Sequence, residues 1–295
     1  MSFDQFLQTL LGGLAIGCIY SLIALGISLI VRATEILHFA QGELMMIGAM
    51  TGITAGALAG HLPLFAVLLA GAAGGGLMAI VIELGIYRML RARRVPLINV
   101  VIATVGVSIV LQNAARLAWG SEPISYPPLF ESRGIMVAGF TVSPQLIGIV
   151  ALSLGIMAAL TGFFRYTRAG IAMQASAQDP DAARLMGISV ERVTVHTFAI
   201  AGMMAGAAGV LLGSLFFASF NMGFGTGIKA FVAATLGGLG SVPGAMVGGL
   251  LFGVVETFAA MFISSSYKDA AGMAVLILIL LIAPQGLLGR LGRQV

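Results

Sequence analysis

Four ionisable side chains lie inside long apolar stretches of this sequence: Glu43, Glu83, Lys229 and Glu256. A charge at membrane depth is costly, so such a residue is usually paired, faces a polar cavity or forms part of a transport path. Glu43 and Lys229 occupy similar places in two glycine-containing segments. We therefore expect these two to face a central cavity and to pair. The alternative is that each reaches water at an interface.

The longest predicted cytoplasmic loop, residues 165–192, contains a second set of informative residues. Asp179 precedes Pro180, and this order predicts a short helix that the aspartate caps and the proline begins. Asp181 would then lie in the positive first turn, and Gly187 would end the helix. Such a helix can insert into the groove of a partner protein. Alternatively, it lies among the lipid headgroups.

Several motifs with known chemistry do not occur. The sequence has no GxxxxGK[ST] phosphate loop, no HExxH and no GxSxG. Its three histidines, His38, His61 and His196, are far apart, and the single cysteine, Cys18, excludes a CxxC site. We therefore expect no catalytic residue, no metal site and no cofactor in this chain. Energy for any transport must come from an ion gradient or from another polypeptide.

The composition predicts an all-α polytopic membrane protein. Of its 295 residues, 59% are hydrophobic and only 9% are charged, whereas about 25% of a soluble domain is charged. These values exclude a water-soluble globular enzyme and a disordered chain. The 41 glycines are typical of closely packed or broken membrane helices. Because the basic residues flank apolar stretches, we attribute the positive net charge to membrane topology rather than to nucleic-acid binding.

A membrane-spanning helix needs about 20 mainly apolar residues. Eight such spans are predicted, at residues 8–31, 39–59, 62–87, 97–118, 143–164, 193–217, 245–264 and 268–288. The segment 222–241 contains six glycines and a lysine, and it is expected to be a broken, re-entrant or ninth span. All of these belong to one transmembrane domain, residues 1–295. Residues 119–142 form an external loop that could act as a cap or gate.

Eleven of the fifteen basic residues fall on one set of loops, which predicts that this set is cytoplasmic. They are Arg32, Arg88, Arg91, Arg93, Arg94, Arg165, Arg168, Arg184, Arg192, Arg290 and Arg293. The opposite side carries Arg116, Arg133 and Lys268. The N-terminus is then outside and the C-terminus inside, which requires an odd number of crossings, so nine are expected if 222–241 crosses.

Two short segments suggest an internal repeat. Phe39-Ala-Gln-Gly42 and Phe224-Gly-Thr-Gly227 each begin an apolar stretch that contains further glycines. Many transporters are built from repeated halves with the substrate site at their interface. Glycines spaced four residues apart, such as Gly13 with Gly17 and Gly202 with Gly206, predict close helix packing.

Four segments together resemble one family of membrane proteins. His38-Phe-Ala-Gln-Gly42-Glu43 is similar to the signature Asn-Phe-Ala-His-Gly-Glu of the LivH/LivM permeases, the membrane subunits of bacterial branched-chain amino-acid ABC importers. Residues 229–245, with Gly237, Gly238 and Gly240, resemble the family's glycine-rich signature, and Pro284-Gln-Gly-Leu-Leu-Gly289 resembles its C-terminal ending. Residues 166–189 resemble its ATPase-contacting loop. The similarity covers nearly the whole chain and is closer to the LivH type.

The resemblance implies a transport subunit without enzymatic activity of its own, in the inner membrane. It implies a second, LivM-like permease subunit, two cytoplasmic ATPases that bind the ATP, and a periplasmic substrate-binding protein. Movement of the loop around 174–188 would then switch a cavity between outward and inward access. The substrate class would be leucine, isoleucine, valine or related small molecules.

Three groups of candidate residues follow from the motifs and the resemblance. The ATPase-coupling residues are Gln174, Asp179, Asp181, Arg184 and Gly187. The candidates for the translocation path are His38, Gln41, Glu43, Lys229 and Glu256. The structural glycines are Gly42, Gly237, Gly238 and Gly240.

The sequence departs from the family pattern at two places. Gln174-Ala175 stands where family members often have Arg-Ala, which puts the ATPase contact in question. His38 and Gln41 stand where they often have Asn and His, which puts the substrate in question. An ABC permease for urea, amides or sugars is therefore an open alternative, as is a stand-alone ion-coupled secondary transporter. Pairing with a second copy of itself is the alternative to a heterodimer.

Overall fold

The computed structural model describes residues 3–58, 63–93, 95–126, 134–137 and 140–289, and these are mainly helical. The helices are α1 (Phe3–Thr34), α2 (Gln41–Leu58), α3 (Leu64–Ile82), α4 (Arg88–Ala92), α5 (Leu97–Trp119), α6 (Pro144–Tyr166), α7 (Arg168–Gln178), α8 (Pro180–Leu185), α9 (Val190–Leu215), α10 (Met222–Gly237), α11 (Val242–Phe262) and α12 (Lys268–Ile282). A π-helical turn, Glu83–Tyr87, joins α3 to α4.

Four short strands accompany the helices. β1 (Ile124–Ser125) pairs antiparallel with β4 (Phe217–Ala218), and β2 (Ile135–Val137) pairs antiparallel with β3 (Phe140–Val142). The external loop predicted at 119–142 therefore contains three of the four strands. The β1–β4 pair ties this loop to the chain that follows α9.

The structure is an all-α polytopic fold, as predicted, but the predicted count of eight or nine spans is not confirmed. Within the described ranges, six helical stretches are long and apolar enough to cross a membrane. They are Gln5–Thr34, Leu64–Ala92, Leu97–Trp119, Pro144–Tyr166, Val190–Leu215 and Val242–Phe262. The helices α2, α10 and α12, with 18, 16 and 15 residues, are not among them.

The segment 222–241 was expected to be a broken, re-entrant or ninth span. It contains a continuous helix, α10, which ends where Gly238 and Gly240 take positive φ values of 109° and 79°. The break therefore follows the helix rather than interrupting it. Arg94, Arg133, Arg290 and Arg293, used above to predict orientation, lie outside the described residues, as does His61. The orientation stays a prediction.

Helix α1 occupies the centre of the fold. Its middle is apolar on every side, and Cys18, Ile19, Leu22 and Ile23 are all fully buried. A helix that is hydrophobic all round is expected to be enclosed by others. Here α1 packs against α6, α9, α10 and α11.

Glycines bring the helix backbones into direct contact. A Cβ on Gly17 would lie 2.9 Å from the Cα of Leu250, so α1 and α11 touch there through main-chain atoms. A Cβ on Gly75 would lie 3.0 Å from the Cα of Gly206, which places α3 equally close to α9. On the other side of Gly206, a Cβ on Gly48 of α2 would overlap its Cα. The predicted close packing is therefore present where these glycines meet.

The glycine contacts fit the suggested internal repeat. Gly42 and Gly227, which end the two similar segments, touch: a Cβ on Gly227 would lie 3.0 Å from the Cα of Gly42. The same sequence interval separates Gly17 from Gly202, the glycines through which α1 packs on α11 and α9 packs on α3. Each triplet, α1–α3 and α9–α11, thus packs its first helix against the last helix of the other triplet.

Replacement of Gly48 by alanine tests the backbone contact. We expect Gly48→Ala to destabilise the protein by about 1–3 kcal/mol, because the new methyl group has no room beside Gly206. The measurement is the midpoint of thermal unfolding of the detergent-purified protein. Gly155→Ala is the matched control, since a Cβ at Gly155 of α6 meets nothing within 4 Å. Equal midpoints for the two variants would contradict the packing described here.

Candidate functional site

The chain between α1 and α2 places His38 in a buried aromatic cluster. His38 Nδ1 and the Tyr87 hydroxyl are hydrogen-bonded at 2.9 Å. The imidazole also packs edge-on against the rings of Tyr87 and Phe198. These contacts fix the ring, and they join the start of α2 to the π-helical turn and to α9.

Two further path candidates follow in the first turn of α2. Gln41 Nε2 donates to the carbonyl oxygen of Ala201 at 2.9 Å, and Glu43 Oε1 accepts a hydrogen bond from Ser108 Oγ at 3.0 Å. Both side chains are about 99% buried. They connect α2 to α9 and to α5.

Each of these three residues retains one buried atom that has no hydrogen-bond partner within the described part of the chain. The atoms are His38 Nε2, Gln41 Oε1 and Glu43 Oε2. Buried polar atoms are nearly always hydrogen-bonded, so these three have unused capacity to bind a polar molecule. They place three such atoms close together in the sequence at the start of α2.

Gly42 is enclosed at the same place. A Cβ there would overlap the carbonyl oxygen of Gly223 and would lie 2.8 Å from the Cα of Gly227. The start of α2 can therefore contact α10 only because residue 42 has no side chain. This supports the structural role predicted for Gly42.

The predicted pair between Glu43 and Lys229 is wrong. Lys229 Nζ instead lies 2.6 Å from Glu256 Oε1 and 2.7 Å from Asp269 Oδ1. Lys229 is on the side of α10 that meets α11 and α12, whereas Glu43 is directed towards Gly223 and α5. Equivalent positions in two repeats place two residues at similar depths in the membrane. They do not determine which face of its helix each residue lies on.

Three further residues that were not predicted, Tyr20, Lys268 and Asp269, lie beside this pair of Lys229 and Glu256. The Tyr20 hydroxyl donates to Glu256 Oε2 at 2.8 Å, and Asp269 supplies the second carboxylate. Lys268 Nζ lies 3.9 Å from Glu256 Oε1. The one signal in the sequence is that Lys268 and Asp269 are adjacent at the start of a predicted span. The four charged residues Lys229, Glu256, Lys268 and Asp269 form what we call the ion cluster.

The glycine-rich signature and the C-terminal ending contact each other. The amide nitrogens of Leu287 and Leu288 donate to the carbonyl oxygens of Leu236 and Gly237, both at 2.9 Å. Gly238 takes a positive φ, and a Cβ there would lie 2.7 Å from the Cα of Gly289. These contacts terminate α10 and hold its end against the last described residues.

The helix predicted in the cytoplasmic loop is present as α8. Asp179 Oδ1 accepts hydrogen bonds from the amides of Asp181 and Ala182, at 3.0 and 2.9 Å, and Pro180 is the first helical residue. Gly187 has a φ of 81° and directs the chain out of the helix. Arg184 pairs with Asp181 at 2.6 Å on the exposed face. The predicted cap and end of this helix are confirmed.

Helix α8 exposes two large apolar side chains. Leu185 is 89% exposed and Met186 is 82% exposed, whereas Ala183 is buried against the rest of the molecule. Gln174 does not share this exposure, because its Nε2 donates to the carbonyl oxygen of Phe164 at 2.9 Å and so attaches α7 to α6. The departure from the family's Arg-Ala pattern thus falls on a residue that holds the loop in place.

The loop predicted to be external, residues 119–142, packs against the second half of α2. The Tyr126 hydroxyl donates to the carbonyl oxygen of Ala49 at 3.0 Å, and Trp119 Nε1 donates to Thr54 Oγ1 at 2.8 Å. Burial raises the pKa of Tyr126, so its hydroxyl stays protonated and keeps donating. This loop is therefore attached to α2 at two places, as a cap would be.

One buried acid serves packing rather than the candidate path. Glu83 begins the π-helical turn, its side chain is 1% exposed, and both of its oxygens accept hydrogen bonds from the guanidinium of Arg91. The neighbouring pair of Arg88 with Glu191 is exposed. The π-helical turn brings Glu83 and Arg91 together although they are eight positions apart in the sequence.

Comparisons with a family model and with individual proteins point to the same family. The family model described as branched-chain amino acid transport system, permease component, matches residues 9–284. The high-affinity branched-chain amino acid transport system permease protein LivH of Escherichia coli (strain K12) is 39% identical over 98% of this chain and 97% of its own length. The corresponding protein BraD of Pseudomonas aeruginosa is 38% identical over 97% and 96%.

Two further similarities are more distant. The ribose import permease protein RbsC of Escherichia coli (strain K12) is 25% identical over 88% of this chain and 80% of its own length. The solved structure of PsaBC from Streptococcus pneumoniae in complex with Fab covers 96% of this chain and 94% of that chain, with a TM-score of 0.50 and 14% identity. At that identity the likeness concerns the fold alone.

The buried pair at the π-helical turn gives a test of stability. We expect Arg91→Gln to destabilise the protein by about 3–5 kcal/mol, because Glu83 is left buried without a cation. The double variant Glu83→Gln/Arg91→Gln should recover most of the loss. Arg88→Gln, which breaks the exposed pair with Glu191, is the control and should cost about 1 kcal/mol or less. The measurement is again thermal unfolding in detergent; a loss for Arg88→Gln as large as for Arg91→Gln would be incompatible with this assignment.

Proposed function

Because the chain belongs to the family of permease components of branched-chain amino acid transport systems, we propose that it carries leucine, isoleucine, valine or closely related molecules across the bacterial inner membrane. It does so as the multi-pass permease subunit of an ABC importer. The observation that carries this proposal is the identity of 39% with a LivH permease over almost the full length of both proteins. The chain hydrolyses no ATP, since it has no phosphate loop.

The importer needs partners, and α8 is the part of this chain that fits one of them. A capped helix that exposes most of Leu185 and of the adjacent Met186 is suited to insertion into a groove of a cytoplasmic ATPase subunit. Asp179 and Gly187 set its two ends, and Gln174 fixes the adjoining α7 to α6. We propose two ATPases, which supply the energy by binding and hydrolysing ATP.

The other proposed partners are a second, LivM-like permease subunit and a periplasmic substrate-binding protein. Most arginines flank the loops that include α7 and α8, so that side is proposed to be cytoplasmic, together with the C-terminus. In this orientation the external cap of Trp119 and Tyr126 faces the binding protein. Helices α2, α10 and α12 would complete the crossings in the assembled pair.

The translocation path is proposed to follow α10. The buried polar atoms of His38, Gln41 and Glu43 lie on the α2 side of this helix, and the ion cluster with Lys229 and Glu256 lies on the side that meets α11 and α12. Repeat-related helices that meet at Gly42 and Gly227 agree with a substrate site at the interface of two halves. Alternating access would then shift these helices against each other.

Reconstitution tests the proposed function. Proteoliposomes with this chain, its LivM-like partner and both ATPases should take up leucine only with ATP on the ATPase side and with the binding protein present. The measurement is uptake of radiolabelled leucine, with ribose and urea as parallel substrates. Uptake by this chain alone in a proton or sodium gradient would identify a secondary transporter instead. Uptake of ribose or urea without leucine would keep the architecture and overturn the substrate.

The exposed side chains of α8 give a second test. The variant Leu185→Ser/Met186→Ser should lower ATP-driven leucine uptake about tenfold or more, because loss of buried anchors in an interface typically costs 2 kcal/mol or more. It should purify normally but retain less ATPase subunit in a pull-down. Leu117→Ser is the control, since Leu117 is also 89% exposed but lies at the other end of the molecule, in α5. Normal ATPase retention and uptake in the α8 variant would contradict the coupling role.

A further inference from the structure

A cavity of about 230 Å³ adjoins the ion cluster. Its polar lining comes from Tyr20, Thr226, Lys229, Glu256 and Lys268. Pockets for drug-sized ligands measure about 300–1,000 Å³, so this cavity suits a smaller molecule. It lies beyond the end of α9, on the side of the molecule that carries Lys268.

The remaining lining is apolar and comes from several helices. Ile16 of α1, Leu212 of α9 and Met222 of α10 contribute aliphatic and thioether side chains, and Phe216 and Phe217 contribute aromatic rings. A charged group and an apolar group of the same ligand can therefore be in contact with the wall at once.

The four charges next to this cavity sum to zero, and part of their hydrogen-bonding capacity is free. Lys229 donates to Glu256 and Asp269, so one of its three N–H groups is not engaged by these two pairs. Lys268 is 3.9 Å from Glu256 and its side chain is 42% exposed. The side chain of Asp269 is 59% exposed. Both ammonium groups can therefore take a further partner, and Glu256, which accepts from Tyr20 and Lys229, retains lone pairs for another donor.

A cluster of two cations and two anions selects for a ligand with both charges. A ligand with one charge would leave an uncompensated charge beside Lys229 and Glu256, whose side chains are only 17% and 5% exposed, and this is unfavourable where water is scarce. A neutral polar molecule such as a sugar would bury hydroxyl groups against the apolar wall without partners. An amphipathic zwitterion meets every requirement of the lining.

We propose that this cavity is a binding site for the α-amino and α-carboxylate groups of an aliphatic amino acid. The carboxylate binds Lys229 and Lys268, the ammonium binds Glu256, and the aliphatic side chain lies against Ile16, Leu212 and Met222. This inference rests on the proposed function and names the residues of this chain that recognise the main-chain groups of the substrate.

Direct binding tests the site separately from transport. The permease pair with its ATPases is placed in lipid nanodiscs without the binding protein, and binding of radiolabelled leucine is measured by scintillation proximity. Competition uses isocaproate, which lacks the ammonium group, and isoamylamine, which lacks the carboxylate. We expect saturable leucine binding in the millimolar range and competition by valine and isoleucine but not by the two singly charged analogues.

Variants distinguish recognition from a structural role. Lys268→Gln should weaken leucine binding about tenfold, as expected for one charge-assisted hydrogen bond. It should leave folding intact because the Lys268 side chain is 42% exposed and lies as far as 3.9 Å from Glu256. Arg116→Gln removes a cation elsewhere and is the matched control. The double variant Lys229→Gln/Glu256→Gln keeps side-chain size and a neutral hydrogen bond. It should restore expression lost in Lys229→Gln but not leucine binding.

The possible results lead to different conclusions. Recovery of leucine binding in the neutral double variant, or unchanged binding in Lys268→Gln, would overturn the site and leave the ion cluster a structural feature. Absence of saturable binding in a complex that takes up leucine once the binding protein is added would also overturn the site, while the proposed function stands. Absence of leucine uptake in the complete wild-type system would instead count against the proposed function.

Discussion

The close approach of helix backbones at glycine is the contact on which the rest of the structure depends. Inside a membrane there is little hydrophobic drive for helices to associate, so packing and hydrogen bonds must hold them together. Gly206 illustrates this, because it touches α2 through Gly48 and α3 through Gly71 and Gly75. Only a residue without a side chain permits three helices to meet at such a point. The polar groups of the candidate path are positioned by the same contacts, since Gln41 packs on Gly26 and Glu43 packs on Gly223.

Close packing excludes water, and this sets the rules for charged residues. The negative charge of each of three buried acids is compensated in a different way. Glu83 is neutralised by Arg91, Glu256 by Lys229 with help from Tyr20, and Glu43 has only the hydroxyl of Ser108. The first two are balanced pairs at the edges of the core, whereas Glu43 lies at the contact between α2 and α10. The least compensated acid thus lies where repeat-related helices meet, which is where a transporter has most use for an unsatisfied polar group.

Local chemistry was predictable from the sequence, and long-range partners were not. Asp179, Pro180 and Gly187 form a helix by themselves, so their roles follow from residue type and order. Gly17 and Gly202 were predicted to pack because small residues at this spacing have few other uses. The partner of Lys229 was not predictable, because it depends on which faces of α10, α11 and α12 meet. Nor was the number of spans, since α10 and α12 end after 16 and 15 residues and are shorter than the about 20 residues that a span needs.

Helices α10 and α11 connect the two ends of the molecule that matter for transport. Between them they carry Lys229 and Glu256 of the ion cluster. At the turn that joins them, Val242 and Pro243 line a cavity of about 410 Å³ together with Gln174 of α7 and Arg32 at the end of α1. Only Asp179 separates α7 from α8, so in the proposed complex an ATPase bound to α8 would reach this turn through α7. Packed helices behave as stiff elements with few alternative arrangements. A change in the angle between α10 and α11 at this turn would then alter the separation of Lys229 from Glu256 and the space beside the ion cluster.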